Sequence, residues 1–306
     1  MATDKFVPQL WSAKILEALD KELVYAQLFN TDYEGEITDA GDTVHIGQVG
    51  AVTIKDYQNG TDIDAADEVS VTDETLVIDQ AKYFNVGVSD VDAVQSQLNL
   101  LDAATERAGY GFSDVCDQFL ANTIVNGTWS ETPTSIVHDG SNDTFSNAPF
   151  NGEQVSTYVV GSDPEKAYKL LVQMNQKLNE NNVPKAGRTV VVPPAFESLM
   201  LLDSRFVAVG TSESEARLTE GTVYKAAGML IKVSNNCPVR EDAMQGTYYP
   251  VIATSAIQGT FAQQVLKTEA YRPEKRFGDA VKGLHVYGAK VLRPEAVAIA
   301  YVSFFR

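Results

Sequence analysis

The 306-residue chain is poor in the residues most chemistry requires: two cysteines, three histidines, and 24 Lys+Arg against 41 Asp+Glu, a formal net charge of −17. Cys116 and Cys237 stand in no C-x-x-C or other ligand spacing, which argues against a disulfide framework or a zinc site and leaves reduced thiols as the expectation. His45, His138 and His285 form no H-E-x-x-H, and G-x-S-x-G, P-loop and G-x-G-x-x-G patterns are missing as well. Gly109-Tyr110-Gly111 lies inside a helical pattern instead of after a strand, so it is not read as a nucleotide loop. Without geometry no pair of carboxylates stands out as acid and base, so no active site, cofactor or metal site is assigned. The longest nearly apolar stretch, residues 296–305, falls short of the roughly 20 residues a spanning helix needs, and Asp4 interrupts any signal-peptide run. The chain reads as soluble, not exported and without a membrane partner.

The shortage of positive charge also excludes a protein that grips duplex phosphates through a basic face, which depends on counterion release. It does not exclude a container, whose walls hold contents without sticking to them when they are neutral or acidic. What is present suits a large folded body. Hydrophobic residues make up 44%, with 13 Phe and 13 Tyr, and the length allows about two domains at roughly 150 residues each.

Trp11, Ile15, Leu19, Leu23 and Ala26 space an amphipathic helix that must cover a surface on its own body or a neighbour's. From Asp42 to Val88 the pattern turns to strands, with Val44 and Ile46, Val52 and Ile54, Val69 and Val71, then Phe84, Val86 and Val88 alternating with polar residues. The polar centre at 59–68 makes this a long hairpin, marginal by itself and expected to lie across another subunit. Between Asp56 and Asp79 stand Asp56, Asp62, Asp64, Asp67, Glu68, Asp73, Glu74 and Asp79 with no Lys or Arg. They read either as an acidic arm for a basic partner surface or as a solvated, self-repelling loop. Part of a calcium loop is imitated, but Asp67 occupies the glycine position and Asp73 that of the bidentate Glu, so no metal site is expected.

Ser89 and Asp90 cap a helix of about 34 residues, near 50 Å, with Val94, Leu98, Leu101, Thr105, Ala108, Phe112, Val115 and Phe119 on one face and a stop at Asn126-Gly127. Residues 128–161 read as loops and short strands. Asp163 or Ser162 starts a helix at Pro164 with Ala167, Leu170, Leu171, Met174 and Leu178 on its apolar face. A buried strand at Thr189–Val192, a helix opening at Pro194 and strands at 229–233 and 248–254 follow. Residues 286–292 and 296–304 are expected to pair as a terminal hairpin.

Three stretches, in this order, carry a resemblance. Arg188-Thr189-Val190-Val191-Val192-Pro193-Pro194-Ala195-Phe196 is a strand-to-helix step. Leu218-Thr219-Glu220-Gly221 through Gly228-Met229-Leu230-Ile231-Lys232-Val233-Ser234-Asn235 is a glycine-punctuated strand and turn, and residues 283–296 form a closing strand and turn. Together they resemble tailed-bacteriophage major capsid proteins of the Hong Kong type. The resemblance implies an α+β fold with an N-terminal arm at 1–41, an extended E-loop at 42–90, a peripheral domain with a long spine helix at 91–161 and 260–306, and an axial domain at 162–259. It implies a non-enzymatic structural protein that self-assembles through hexamers and pentamers into an icosahedral head around double-stranded DNA. It would be located in the virion and, during assembly, in the host cytoplasm. A portal and possibly a decoration protein are implied partners. Because only a short arm precedes the hairpin, a separate scaffolding protein is expected. An encapsulin-like compartment shell and an unrecognised hydrolase are the alternatives.

Residues 267–293 hold Lys267, Arg272, Lys275, Arg276, Lys282, Lys290 and Arg293 against Glu269, Glu274 and Asp279, net +4 beside a hairpin that is net −8. The two segments are expected to attract between subunits, with Lys55, Asp62, Asp64, Asp67, Glu68, Arg272, Lys275 and Arg276 as candidate contact residues. Some relatives join an E-loop lysine to an asparagine of a neighbour. Here 261–306 holds no Asn, so Lys55 is read as a surface residue and not a crosslink.

Overall fold

A computed structural model describes residues 24–32, 43–49, 54, 56, 71–89, 100–131, 158–160, 163–203, 225–242, 246–274 and 278–304. In chain order these form β1 (Thr43–Val49), β2 (Val71–Val77), β3 (Gln80–Ser89), α1 (Leu100–Glu131), β4 (Tyr158–Val159), α2 (Pro164–Glu180), β5 (Thr189–Val192) and α3 (Pro194–Leu202). Then come β6 (Lys225–Ala226), β7 (Met229–Val233), β8 (Arg240–Asp242), β9 (Gly246–Thr254), β10 (Gly259–Tyr271), β11 (Gly278–Val291) and β12 (Val297–Ser303). The mixture is α+β, as expected, and the described strands fall into three sheets.

The largest sheet has seven strands, ordered β4-β12-β9-β5-β7-β6, with β8 on the side of β9. Its strands alternate apolar residues toward two cores. Val190 and Val192, Val251 and Ala253, and Ala298, Ala300 and Val302 face α2 and α3, where Leu170, Leu171, Met174, Leu178, Phe196 and Met200 meet them. Val191, Ile252, Val297, Ile299 and Tyr301 face the other way, against Cys116, Leu120, Ala121 and Ile124 of α1 and Tyr25, Leu28 and Phe29 of the N-terminal segment. α2 starts as its sequence dictates: the Asp163 side chain accepts from the Glu165 N–H and Pro164 fills the first turn.

The second sheet has three strands, β10-β11-β3, all antiparallel. Even-numbered residues of β11, Leu284 and Val286, pack with Val44, Ile46, Leu76 and Ile78 at the base of the β1–β2 hairpin. Odd-numbered ones, including His285 and Tyr287, lie under α1 through ring contacts with Phe112 and Phe119. β11 is therefore shared by the hairpin on one face and the long helix on the other.

Three expectations change. β12 does not pair with β11; it lies between β4 and β9. Both edges of β11 are taken by β10 and β3, and β12 is buried at every position, which suits an interior strand and not a hairpin arm. α1 runs through Gly109, Gly111 and Asn126-Gly127. Gly127 is a packing residue, because a Cβ there would stand 2.9 Å from a Val291 methyl group. The buried stripe of α1 also drifts: beyond Phe112 it passes through Ser113, Cys116, Asp117, Leu120, Ala121 and Ile124, leaving Val115 exposed. That is the drift of a 3.6-residue helix away from a strict seven-residue repeat.

Candidate assembly surfaces

The expected hairpin is met only in part: its arms pair over β1 and β2, but Phe84, Val86 and Val88, read as part of the second arm, lie on β3 and pair with β11 in another sheet. β1 and β2 pair antiparallel, with Val44 opposite Leu76 and Ile46 opposite Glu74. Its inward residues root it on β11, and Gly288 is needed for the approach, since a Cβ there would lie 2.4 Å from the Val77 carbonyl oxygen. Its outer side carries His45, whose Nδ1 lies 2.7 Å from Asp73 Oδ2, both largely exposed. Several large apolar side chains among the described residues here are exposed: Ile54 is 95% exposed, Val71 65% and Val77 48%, while Tyr83 on β3 is 78% exposed. Apolar groups of this size concentrated on a hairpin and an adjoining edge strand mark a contact surface.

Of the charged residues expected at contacts, Arg272 is described and lies exposed just beyond β10. Lys55, Asp62, Asp64, Asp67, Glu68, Lys275 and Arg276 lie outside the described residues, as do the amphipathic pattern at 11–23, the polar centre of the hairpin and the 90–99 helix start. Part of the expected attraction between acidic hairpin and basic strand is satisfied inside the chain. Lys290 Nζ lies 2.6 Å from Glu74 Oε2, joining β11 to β2. Lys282 Nζ lies 2.9 Å from Glu269 Oε2 and 5.3 Å from the centroid of the Tyr271 ring, and the hydrogen bond to Glu269 raises its pKa. Arg272, at the other end of β10 from this hairpin anchor, is about 40 Å along the strand.

A junction that sequence reasoning missed ties the N-terminal segment to the body. Asp117, buried on α1, accepts from the Val24 and Tyr25 N–H groups at 3.0 and 2.8 Å and from Asn236 Nδ2 at 3.1 Å. Tyr25 Oη lies 3.2 Å from Cys237 Sγ, and the thiol lies 3.4 Å from the Ser234 carbonyl oxygen. Further along, Gln258 Nε2 donates to the Leu28 carbonyl, Asn30 N–H donates to Gly259, and Phe261 N–H donates to Asn30. The available signal was a carboxylate inside an otherwise apolar helical stripe. Burial raises the Asp117 pKa, with the three donated hydrogen bonds opposing it. Burial also pushes the Tyr25 hydroxyl and Cys116 thiol up, and the Cys237 thiol up to about 11, so both cysteines are protonated at neutral pH and poor nucleophiles.

Arg188, from the quoted strand-to-helix motif, is buried and donates to the carbonyls of Pro184 at 3.0 Å and Val183 at 2.5 Å, and to Asn175. It closes the turn after α2, and burial lowers its pKa. Among the described residues no group of three or more His, Cys, Asp or Glu could hold a metal, and no helix is long and apolar enough to cross a membrane.

The order of parts, with hairpin, long helix, α-strand-α step and returning strands, has counterparts among known proteins. The phage capsid protein family matches residues 73–300. A solved chain from Mycobacterium phage Che8 is similar at 27% identity and a TM-score of 0.69, with 98% of each chain covered. The capsid of cyanophage P-SCSP1u is similar in fold at 17% identity and 0.68, covering 92% of this chain and 88% of that one. A virus-like particle from Pyrococcus furiosus is similar at 12% and 0.54, covering 96% and 98%. No curated protein matches the chain. The chain belongs to the phage capsid protein family: it is a structural major capsid protein of the Hong Kong-type fold, a virion component that assembles with copies of itself into a multimeric shell.

Proposed function

We propose that this capsid protein builds a closed icosahedral head of hexamers and pentamers around double-stranded DNA, without catalysis and without reading sequence. The observation that carries it is the concentration of uncovered apolar side chains, Ile54, Val71, Val77 and Tyr83, on a hairpin rooted in β11 and on the neighbouring strand. A neighbour's surface is their natural cover. The net charge of −17 suits a wall that does not bind its contents.

The contact residues are Lys55, Asp62, Asp64, Asp67 and Glu68 on the hairpin side and Arg272, Lys275 and Arg276 on the basic side. Lys282 and Lys290 are engaged within the chain, and the exposed Arg272 with Lys275 and Arg276 forms the basic side proposed to meet a neighbour's acidic hairpin. Each exposed pair contributes only ~0–1 kcal/mol, but a subunit with several neighbours needs individually weak contacts. In domain terms, 1–41 is the arm and 42–90 the E-loop. Residues 91–161 and 260–306 form the peripheral domain, with β12 entering the sheet of the axial domain at 162–259. A scaffolding protein, a portal and a decoration protein are the proposed partners, with assembly in the host cytoplasm.

Negative-stain imaging of the sedimenting fraction, from expression alone and from infected cells, tests the assembly. Angular shells containing DNA are expected; a monomer in both settings overturns the reading, and protein cargo in place of DNA moves it to a compartment shell. For the contact residues, Arg272→Glu with Arg276→Glu is expected to abolish particles in dilute buffer while leaving the fold intact. Indifference of particle yield to both the double variant and ionic strength would remove the electrostatic contact.

A further inference from the structure

The layer between α1 and the three-stranded sheet buries polar atoms among its apolar ones. His285 on β11 is 0% exposed, its ring wedged between Phe112 of α1, 5.4 Å away by centroids, and Tyr287, 5.0 Å away. Among the described residues neither ring nitrogen has a hydrogen-bond partner, nor do the buried Thr268 Oγ1, Gln263 Oε1 and Tyr287 Oη. The register places all four residues on the same sheet face, with Gln263 opposite Tyr287 and Thr268 opposite Gly283, two residues before His285. A buried polar atom without a partner has surrendered its water for nothing, so this contact gains by opening at each of these atoms.

Among the described residues no carboxylate is hydrogen-bonded to the ring, and the nearest acid on the β3 side, Asp79, is exposed and acts on Tyr287. Lys82 lies directly opposite on β3 and is exposed. On β10 Val265 is opposite, and Lys267 follows across a register shift as the partner of Leu284. On α1 the nearby titratable groups are Cys116 and Asp117, the latter engaged by Val24, Tyr25 and Asn236, with Glu106 and Arg107 exposed. On β11 itself Tyr287 is neutral, and Lys282 shares the parity of the hairpin face with its partner Glu269.

We propose that His285 makes the contact between α1 and the three-stranded sheet an acid-released latch, so that protons loosen the helix from this sheet while the seven-stranded sheet remains folded. Burial lowers the imidazole pKa to about 4 in the closed layer from an ordinary 6.5. The sign follows. Closure is at full strength above pH 6.5, weakens as pH falls toward 4 because only the open layer takes the proton, and is level below that. The closed-to-open ratio falls by about 300-fold over the window, and by roughly 70-fold at pH 4.5.

Hydrogen exchange of the purified chain at pH 7.5 and 4.5, corrected for intrinsic rates, tests this in wild type, His285→Phe and His285→Gln. Wild-type amides of α1 between 105 and 120 should lose protection by tens-fold relative to β5 and β9, and neither variant should show that excess. Equal acid loss in wild type and variants, or none in wild type, overturns the latch. If both variants fail to fold, NMR titration of the wild-type imidazoles decides. A His285 signal still neutral at pH 5 supports the proposal, and one titrating near 6.5 in the folded chain overturns it.

Discussion

In the seven-stranded sheet, β12 is buried at every position and neighbouring strands sort valine, isoleucine and alanine cleanly between two apolar cores. In the three-stranded sheet, β11 instead carries glycines at 283 and 288, a buried histidine and an unpartnered tyrosine hydroxyl, while β3 leaves Tyr83 in solvent. The first arrangement gains burial on both faces. The second places close backbone contacts and unsatisfied polar atoms where a helix and a hairpin meet. It also leaves apolar groups on an edge for another chain to cover. Rigid body and adaptable contact region are thus separated by sheet.

The largest expected effect falls on the rigid side. Phe196→Ala empties a fully buried position between α3 and the large sheet and should cost about 3–5 kcal/mol, read by urea unfolding. A loss below about 1 kcal/mol would mean that this core is less rigid than the comparison holds. Next is the Asp117 junction. Asp117→Ala orphans the Val24 and Tyr25 N–H groups and the Asn236 amide and should cost about 3 kcal/mol, while Asp117→Asn retains an acceptor and costs less. Limited proteolysis after residue 24 reports whether the N-terminal segment detaches first, as a local junction requires.

On the adaptable side, Gly288→Ala forces the hairpin base off β11 and is expected to cost about 1–3 kcal/mol. Its signature is faster cleavage within β1 and β2 with little change in protection of β5 and β9; uniform destabilisation would merge the two regions into one. Glu74→Gln removes the half-exposed pair with Lys290 and should cost at most ~1 kcal/mol, less in high salt. The smallest effect is a gain. Ala227 holds φ of 48° in the two-residue turn between β6 and β7, a conformation Asn tolerates better, so Ala227→Asn should stabilise by less than ~1 kcal/mol in thermal melts.

Legibility in the sequence followed the range of the forces involved. α2 was readable in full because its cap, its proline and its five-residue apolar face are all local, and Asp163, not Ser162, is the cap observed. β1 was readable from the alternation of Val44 and Ile46, but the second arm was not, because Phe84, Val86 and Val88 alternate just as well while pairing with β11. The partner of β12 was not, because seven buried residues in a row state that a strand is interior without stating between which neighbours. The Asp117 junction was equally hidden: its donors come from residues 24, 25 and 236, and no pattern along one helix announces them.

By itself the sequence determined a long helix, strand-rich segments around an acidic stretch and the lack of a recognisable catalytic motif, while the order of parts of a capsid subunit came from resemblance to known coat proteins. The first three depend on composition, periodicity and spacing, which act within a few turns of chain. Tertiary structure alone decided that β11 is shared by hairpin and helix, that part of the acid-base attraction closes inside the chain at Glu74 and Lys290, and that His285 is sealed without a partner. Burial and pairing are properties of surfaces brought together from distant segments, and they come into being only when the sheets form.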